Sequence, residues 1–218
     1  MSLKVYGVLR SRATRPVWMA KELGLPFELI KVIQGYRLPD PGAPDAPLNT
    51  TSPSFRAVNP NGAIPTIDDD GFVLNESFAI TLYLARKHGG PLASRDARED
   101  GLMTMWTLWA ATECEGHALR IMQNGPSVKA RDASLYDAAV AALRPKFAVL
   151  DTALRDSQRF LVGGRFTVAD LNVAEVVRYA QAAPDLFATN PHVRAWITAC
   201  QARPAFIAMM AERNAEPV

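Results

Sequence analysis

Two short stretches place hydroxyl side chains where a strand-like segment gives way to a helix. Ser11 and Thr14 lie in "SRATRP", between a compact apolar-rich segment at Leu3–Tyr6 and the helical run that follows, with Arg12 and Arg15 interleaved. Glu76-Ser77 lies in "NPNGAIPTIDDDGFVLNESFAITLYLARKHG", where a strand-like segment gives way to an apolar helix. A helix N-terminus presents N–H groups with no intrahelical partner and carries about half a positive charge, so it attracts carboxylates. The same residues also suit a purely structural role, Ser77 capping the helix and Glu76 complementing its dipole. Other chemistries lack their residues. Cys114 and Cys200 stand far apart with no C-x-x-C pair, and His88, His117 and His192 share no ligand spacing, so neither a redox cysteine centre nor a zinc site has support. Two scattered cysteines in a reducing compartment are expected to be buried, inert thiols.

The elements that must position these groups have two textures. In the first half, Leu3–Tyr6 is a strand and "RPVWMAKELG" a helix, with Pro16 tolerated in its first turn and Gly24 placed to stop it. "FELIKVI" alternates with period two and forms a second strand, parallel to the first because a helix intervenes. The segment from Gly35 to Ser54, rich in Pro and small polar residues, is expected to be an extended surface loop. "IPTI" and "FVL" around "DDDG" predict an antiparallel hairpin, and "SFAITLYLARKH" a closing helix. Beyond Pro91 the strand signals vanish. Helical periodicity covers Ala97–Met122, Leu135–Arg155, Val168–Ala182 and Val193–Ala202, with a short stretch after Pro204. The expected organisation is an α/β domain over residues 1–88, a linker over 89–100, and an all-α domain over 101–218. "TVAD" at Thr167–Asp170 has the form of a helix capping box.

Composition bounds the partners. The chain has 218 residues, 49% apolar and 21% charged, with a net charge of +2 and no basic stripe. That balance suits a globular protein and argues against nucleic-acid or anionic-membrane binding. No apolar stretch approaches the ~18 residues of a membrane span. "MSLKVYGV" lacks a secretory apolar core, so a cytoplasmic location is expected.

The order of elements, with Pro65 opening the hairpin and Glu76-Ser77 before the next helix, resembles the glutathione transferase superfamily. The resemblance rests on "SRATRPVWMAKELGLPFE", "NPNGAIPTI", "LNESFAITLYLA", "FLVGGRFTVADL" and "RAWITACQARPAF", five motifs in the expected order across nearly the whole chain. A serine four residues before an arginine, Ser11 and Arg15, is similar to the theta and related bacterial serine-type classes. The resemblance implies a thioredoxin-like N-terminal domain, an all-α C-terminal domain, glutathione as cosubstrate and a homodimer.

It also implies roles. Ser77 would hold the γ-glutamyl carboxylate of glutathione and Glu76 its ammonium. Pro65 would be cis, leaving the Ile64 backbone free to pair with the cysteinyl part like an added strand. Residues before Ile64 in relatives are often basic or amide-bearing and contact the glycyl end. Here that residue is Ala63, and Arg56 in the preceding loop is the candidate substitute. Ser11 would donate a hydrogen bond to the sulfur, with Arg12 adding positive charge. Lowering a thiol pKa from about 8.5 to about 6.5 needs roughly 2.7 kcal/mol, which a charge-assisted hydrogen bond and a helix dipole can supply together. Thr14 is the alternative hydroxyl, or an N-cap of the first helix. Tyr6 is expected to pack in strand one.

The expected function is conjugation of the glutathione thiolate to a small hydrophobic electrophile. Peroxide reduction, dehalogenation and isomerisation would use the same thiolate. A noncatalytic module of the same fold, carrying an apolar ligand or a protein partner, is the rival from another class.

Overall fold

The computed structural model describes residues 3–157 and 159–217. They form two compact units, one running to His88 and resuming at Pro204, the other spanning Gly89–Arg203.

In the first unit, β1 (Leu3–Tyr6), α1 (Thr14–Glu22), β2 (Phe27–Ile30), α2 (Pro53–Val58), β3 (Thr66–Asp69), β4 (Phe72–Asn75) and α3 (Ser77–His88) follow in order. The sheet order is β2-β1-β3-β4. β1 and β2 are parallel, with Val5 opposite Leu29, as the intervening helix requires. β3 is antiparallel to both β1 and β4. Asp70 and Gly71, with φ of 52° and 91°, make the two-residue hairpin turn that Asp-Gly favours. Val5 and Ile67 are fully buried at the centre of the sheet. Gly24 stops α1 at φ 65°, its N–H donating to the Lys21 carbonyl.

Three expectations need correction here. The Pro-rich segment is not simply extended, because its last residues open α2, with Pro53 in the first turn. The rest is pinned from inside by Asn49, which is fully buried. Its amide donates to the carbonyls of Pro41 and Pro47 (3.0 and 2.9 Å), and its Oδ1 accepts from the Thr51 N–H and hydroxyl. The end of the chain also departs from the expected all-α domain over 101–218. α10 (Pro204–Ala215) packs on α1, where Phe206 meets Trp18 edge-on at 4.8 Å and Glu212 pairs with Lys21 at 2.7 Å. Finally, the expected linker ends early: α4 (Ala97–Trp109) already starts at Ala97, capped by Asp96, whose carboxylate accepts from the Arg98 and Glu99 amides.

The second unit holds α4, α5 (Glu115–Asn124), α6 (Ala133–Asp156), α7 (Val168–Val177), α8 (Pro184–Ala188) and α9 (Pro191–Gln201). A π-helical turn at Ala110–Cys114 separates α4 from α5, where periodicity alone predicts one continuous helix. α7 is buried along its whole length, and its capping box forms as expected. The Asp170 carboxylate accepts from the Thr167 and Leu161 N–H groups and the Trp196 indole, each at 2.9 Å. Burial pushes its carboxyl up to about 6, while these donors pull it back. Among the described residues, no helix is long and apolar enough to cross a membrane.

Glu99 and Arg165 close this unit near its start. The guanidinium makes bonds of 2.8 and 2.6 Å to the carboxylate and also donates to the carbonyls of Pro91 and Ala93. The Arg165 bonds hold the Glu99 carboxyl down at about 2, against an ordinary value of 4.5. A depressed carboxyl stabilises the fold above its unfolded value and loses that contribution as pH falls from 4.5 towards 2. Glu99→Gln should therefore cost about 1–2 kcal/mol at pH 7, after allowance for solvent screening. Its thermal midpoint should depend less on pH than the parent's across that acid window, as calorimetry over a pH series would show.

Candidate functional site

β1 delivers the chain to a tight turn. The Gly7 N–H donates to the Ile30 carbonyl, and the turn then runs from Val8 to Ala13. Within it, the Ser11 hydroxyl donates to the Val8 carbonyl at 2.6 Å and accepts from the Ala13 N–H at 3.0 Å. Thr14 is the first residue of α1 and fully buried, its hydroxyl donating to the Ser11 carbonyl at 3.3 Å. The N-cap position falls on Ala13, which corrects the reading of Thr14 as a cap. Ser11 is half-buried and Arg12 is exposed. Tyr6 packs in the strand as expected, its ring 6.1 Å from that of Phe55.

Gly7 is where this turn meets the next part of the site. A Cβ there would lie 2.9 Å from the Ala13 Cβ and 3.6 Å from the Ile64 Cβ. The Ala13 contact is too close for any side chain at position 7, and the Ile64 side chain lies at ordinary packing distance on the same side, so the glycine lets the Ser11 turn close beside Ile64. The Ile64–Pro65 bond is cis. The turn before it is organised by Asn59, 1% exposed, whose amide donates to the Ala63 carbonyl (2.7 Å) and the Thr66 hydroxyl (3.0 Å). Thr66 in turn bonds the Asn75 side chain at 2.9 Å, one residue before Glu76. Ala63 is exposed. Arg56 is exposed too, and its guanidinium lies beside Gly62, where an added Cβ would come 3.4 Å from Nε.

At the mouth of α3, Glu76 adopts φ 66°, a conformation uncommon for any residue but glycine, and is exposed. Its carbonyl accepts from the Ile80 N–H to begin the helix. Ser77 is 4% exposed, and its Oγ accepts from Nη1 of Arg15 at 2.9 Å. Arg15 is itself fully buried, with its guanidinium 4.0 Å from the centroid of the Phe78 ring. The structure therefore brings Ser11, Ile64, Pro65 and Ser77 together through two junctions, Gly7 and Arg15. Arg12 and Arg56 stand at the margin.

Models of the glutathione S-transferase N-terminal domain and C-terminal domain match residues 11–87 and 105–204. The chain belongs to the glutathione S-transferase family. It is 30% identical to a glutathione S-transferase of Hyoscyamus muticus over 94% of this chain and 96% of the relative. It is 31% identical to glutathione S-transferase theta-3 of Mus musculus over 90% of this chain and 80% of the relative. Among solved structures, the theta class enzyme of the citrus canker pathogen Xanthomonas axonopodis pv. citri, with glutathione bound, superposes with a TM-score of 0.75. That match has 26% identity and covers 94% of this chain and 95% of the other.

Sequence reasoning missed several residues of this family member's site. It used Arg15 only as a class signal, whereas the structure makes it the partner of Ser77. Asn59 carried a local clue, since Asn before Pro favours a turn. Arg37 and Glu216 carried none. They border, with Val8 and Lys31, a cavity of about 300 Å³ beside the Ser11 turn.

Proposed function

We propose that this glutathione transferase holds glutathione along the Ile64 backbone and the mouth of α3, and uses Ser11 to keep its sulfur ionised for attack on a small hydrophobic electrophile. The observation that carries this reading is the junction at Gly7, which sets the Ser11 turn against Ile64. Ser77 then takes the γ-glutamyl carboxylate. A hydroxyl that accepts from a guanidinium still has its own proton to donate, and the helix N-terminus adds its dipole. Glu76, exposed beside it, faces the ammonium. Arg56 reaches for the glycyl end in place of a basic or amide side chain at Ala63, and Arg12 adds positive charge near the turn.

The energetics are more modest than the sequence alone implied. Ser11 must exchange the Val8 carbonyl for sulfur, so only the difference between the two bonds drives ionisation. A charge-assisted bond exceeds a neutral one by about 1 kcal/mol, and a helix dipole adds about 0.5–1. Together these lower the thiol from about 8.5 to about 7–7.5. That suffices for thiolate chemistry at neutral pH without a general base. Thr14 is the weaker candidate because its hydroxyl is fully buried.

The same reading includes self-association. Leu102, Met105 and Leu108 recur every third residue on α4 and are 46%, 47% and 57% exposed, an apolar stripe suited to a second copy of this chain across a two-fold axis. Cys114 and Cys200 are buried and unbridged, and burial pushes the Cys114 thiol up to about 12, which fits a reducing cytoplasm.

Two experiments test these statements. Ser11→Ala should slow glutathione conjugation near neutral pH, raise the apparent pKa of bound glutathione, and lose less activity at high pH. Thr14→Ala should lower the melting temperature and leave the pH–rate profile in place. Exchanged patterns move the role to Thr14, and an unshifted profile in both removes the serine-type assignment. Light scattering at micromolar concentration should show a dimer that Leu108→Glu dissociates, and a monomeric parent would refute the α4 contact.

A further inference from the structure

The Ser11 turn is gripped by a carboxylate from the far end of the sequence. Glu216, one residue past α10, accepts the Leu9 N–H on Oε1 at 2.9 Å and the Arg10 N–H on Oε2 at 3.0 Å. The guanidinium Nε of Arg10 returns a bond to the Glu216 carbonyl at 3.0 Å. Consecutive amides, each matched to one oxygen of a single carboxylate, make a bidentate charge-assisted clamp, stronger and more directional than a neutral contact. The clamp is backed by a rigid element, since α10 is anchored on α1 where Phe206 packs edge-on against the buried Trp18.

We propose that Glu216 is a positioning residue for the thiolate-stabilising hydroxyl. The clamped amides lie between Val8, whose carbonyl holds the Ser11 hydroxyl, and Ser11 itself. Fixing them fixes where Oγ stands relative to Gly7 and Ile64. Catalysis is steep in such placement, because a misplacement of about 1 Å can cost about a hundredfold in rate. The inference rests on the Ser11 assignment. Substrate binding does not depend on it, since the peptide is held at Ile64 and Ser77.

The test uses the full chain with glutathione and an aryl halide. Glu216→Ala should lower kcat about tenfold or more while the KM for glutathione stays within about twofold. Glu216→Gln, which keeps one acceptor oxygen, should retain more of kcat than Glu216→Ala. Added acetate, for which the neighbouring cavity of about 300 Å³ has room, should restore part of the Glu216→Ala loss in a concentration-dependent way. Glu212→Gln, which removes a carboxylate from α10 at an exposed pair with Lys21 and leaves the Phe206–Trp18 packing in place, should behave as the parent. An unchanged kcat in Glu216→Ala, a rise in KM alone, a loss that acetate does not restore, or an equal loss in Glu212→Gln would overturn the proposal. Ser11→Ala run alongside separates the two ideas. If it costs activity and Glu216→Ala does not, only the positioning role falls; if Ser11→Ala costs nothing, both fall.

Discussion

The site depends on a guanidinium that has no contact with water. Arg15 is fully buried, and a charge in that position costs several kcal/mol unless hydrogen bonds compensate it. One of those bonds goes to Ser77, and that bond ties the first turn of α1 to the first turn of α3. Two helix N-termini, each with its own unpaired N–H groups, thereby become parts of one site. The choice of arginine matters, because its planar fork can stack on Phe78 and donate to Ser77 at once, which a lysine cannot do.

Around that pair the backbone is arranged by small polar residues. Asn59 holds the turn ahead of the cis proline and, through Thr66 and Asn75, links it to the residue preceding Glu76. Gly7 lacks the side chain that would collide with Ala13, so the turn can close beside Ile64. In the second unit the comparable device is Asp170, whose three N–H donors fasten a helix buried along its whole length. Its role is to hold a fold together, whereas Arg15 holds a site together.

Local pattern made the sheet, its connections and the helix mouth at Glu76-Ser77 legible, because period two, Asp-Gly turns and capping residues act within a few positions. Pairings across long separations left no such trace. Arg15 meets Ser77 across 62 positions, and Glu216 meets Leu9 across 207. Neither guanidinium nor carboxylate stands out in a sequence where charged residues are ordinarily solvated. α10 looked like the last of a helical series because periodicity reports which face is apolar and not what covers it. Asn49 was lost in a Pro-rich stretch whose composition masked a residue that satisfies two carbonyls from inside. Thr14 seemed a better cap than it is, since the helix begins one residue earlier than a cap there would need.

The central claim is that Ser77, oriented by Arg15, holds the γ-glutamyl end of glutathione. Calorimetry of Ser77→Ala with glutathione and with cysteinylglycine, which lacks that end, tests it most directly. The account predicts that glutathione binding weakens by about 1–3 kcal/mol, the range for stranding a charged partner, while cysteinylglycine binding is unchanged. Unaltered glutathione affinity, or an equal loss for both ligands, would contradict it.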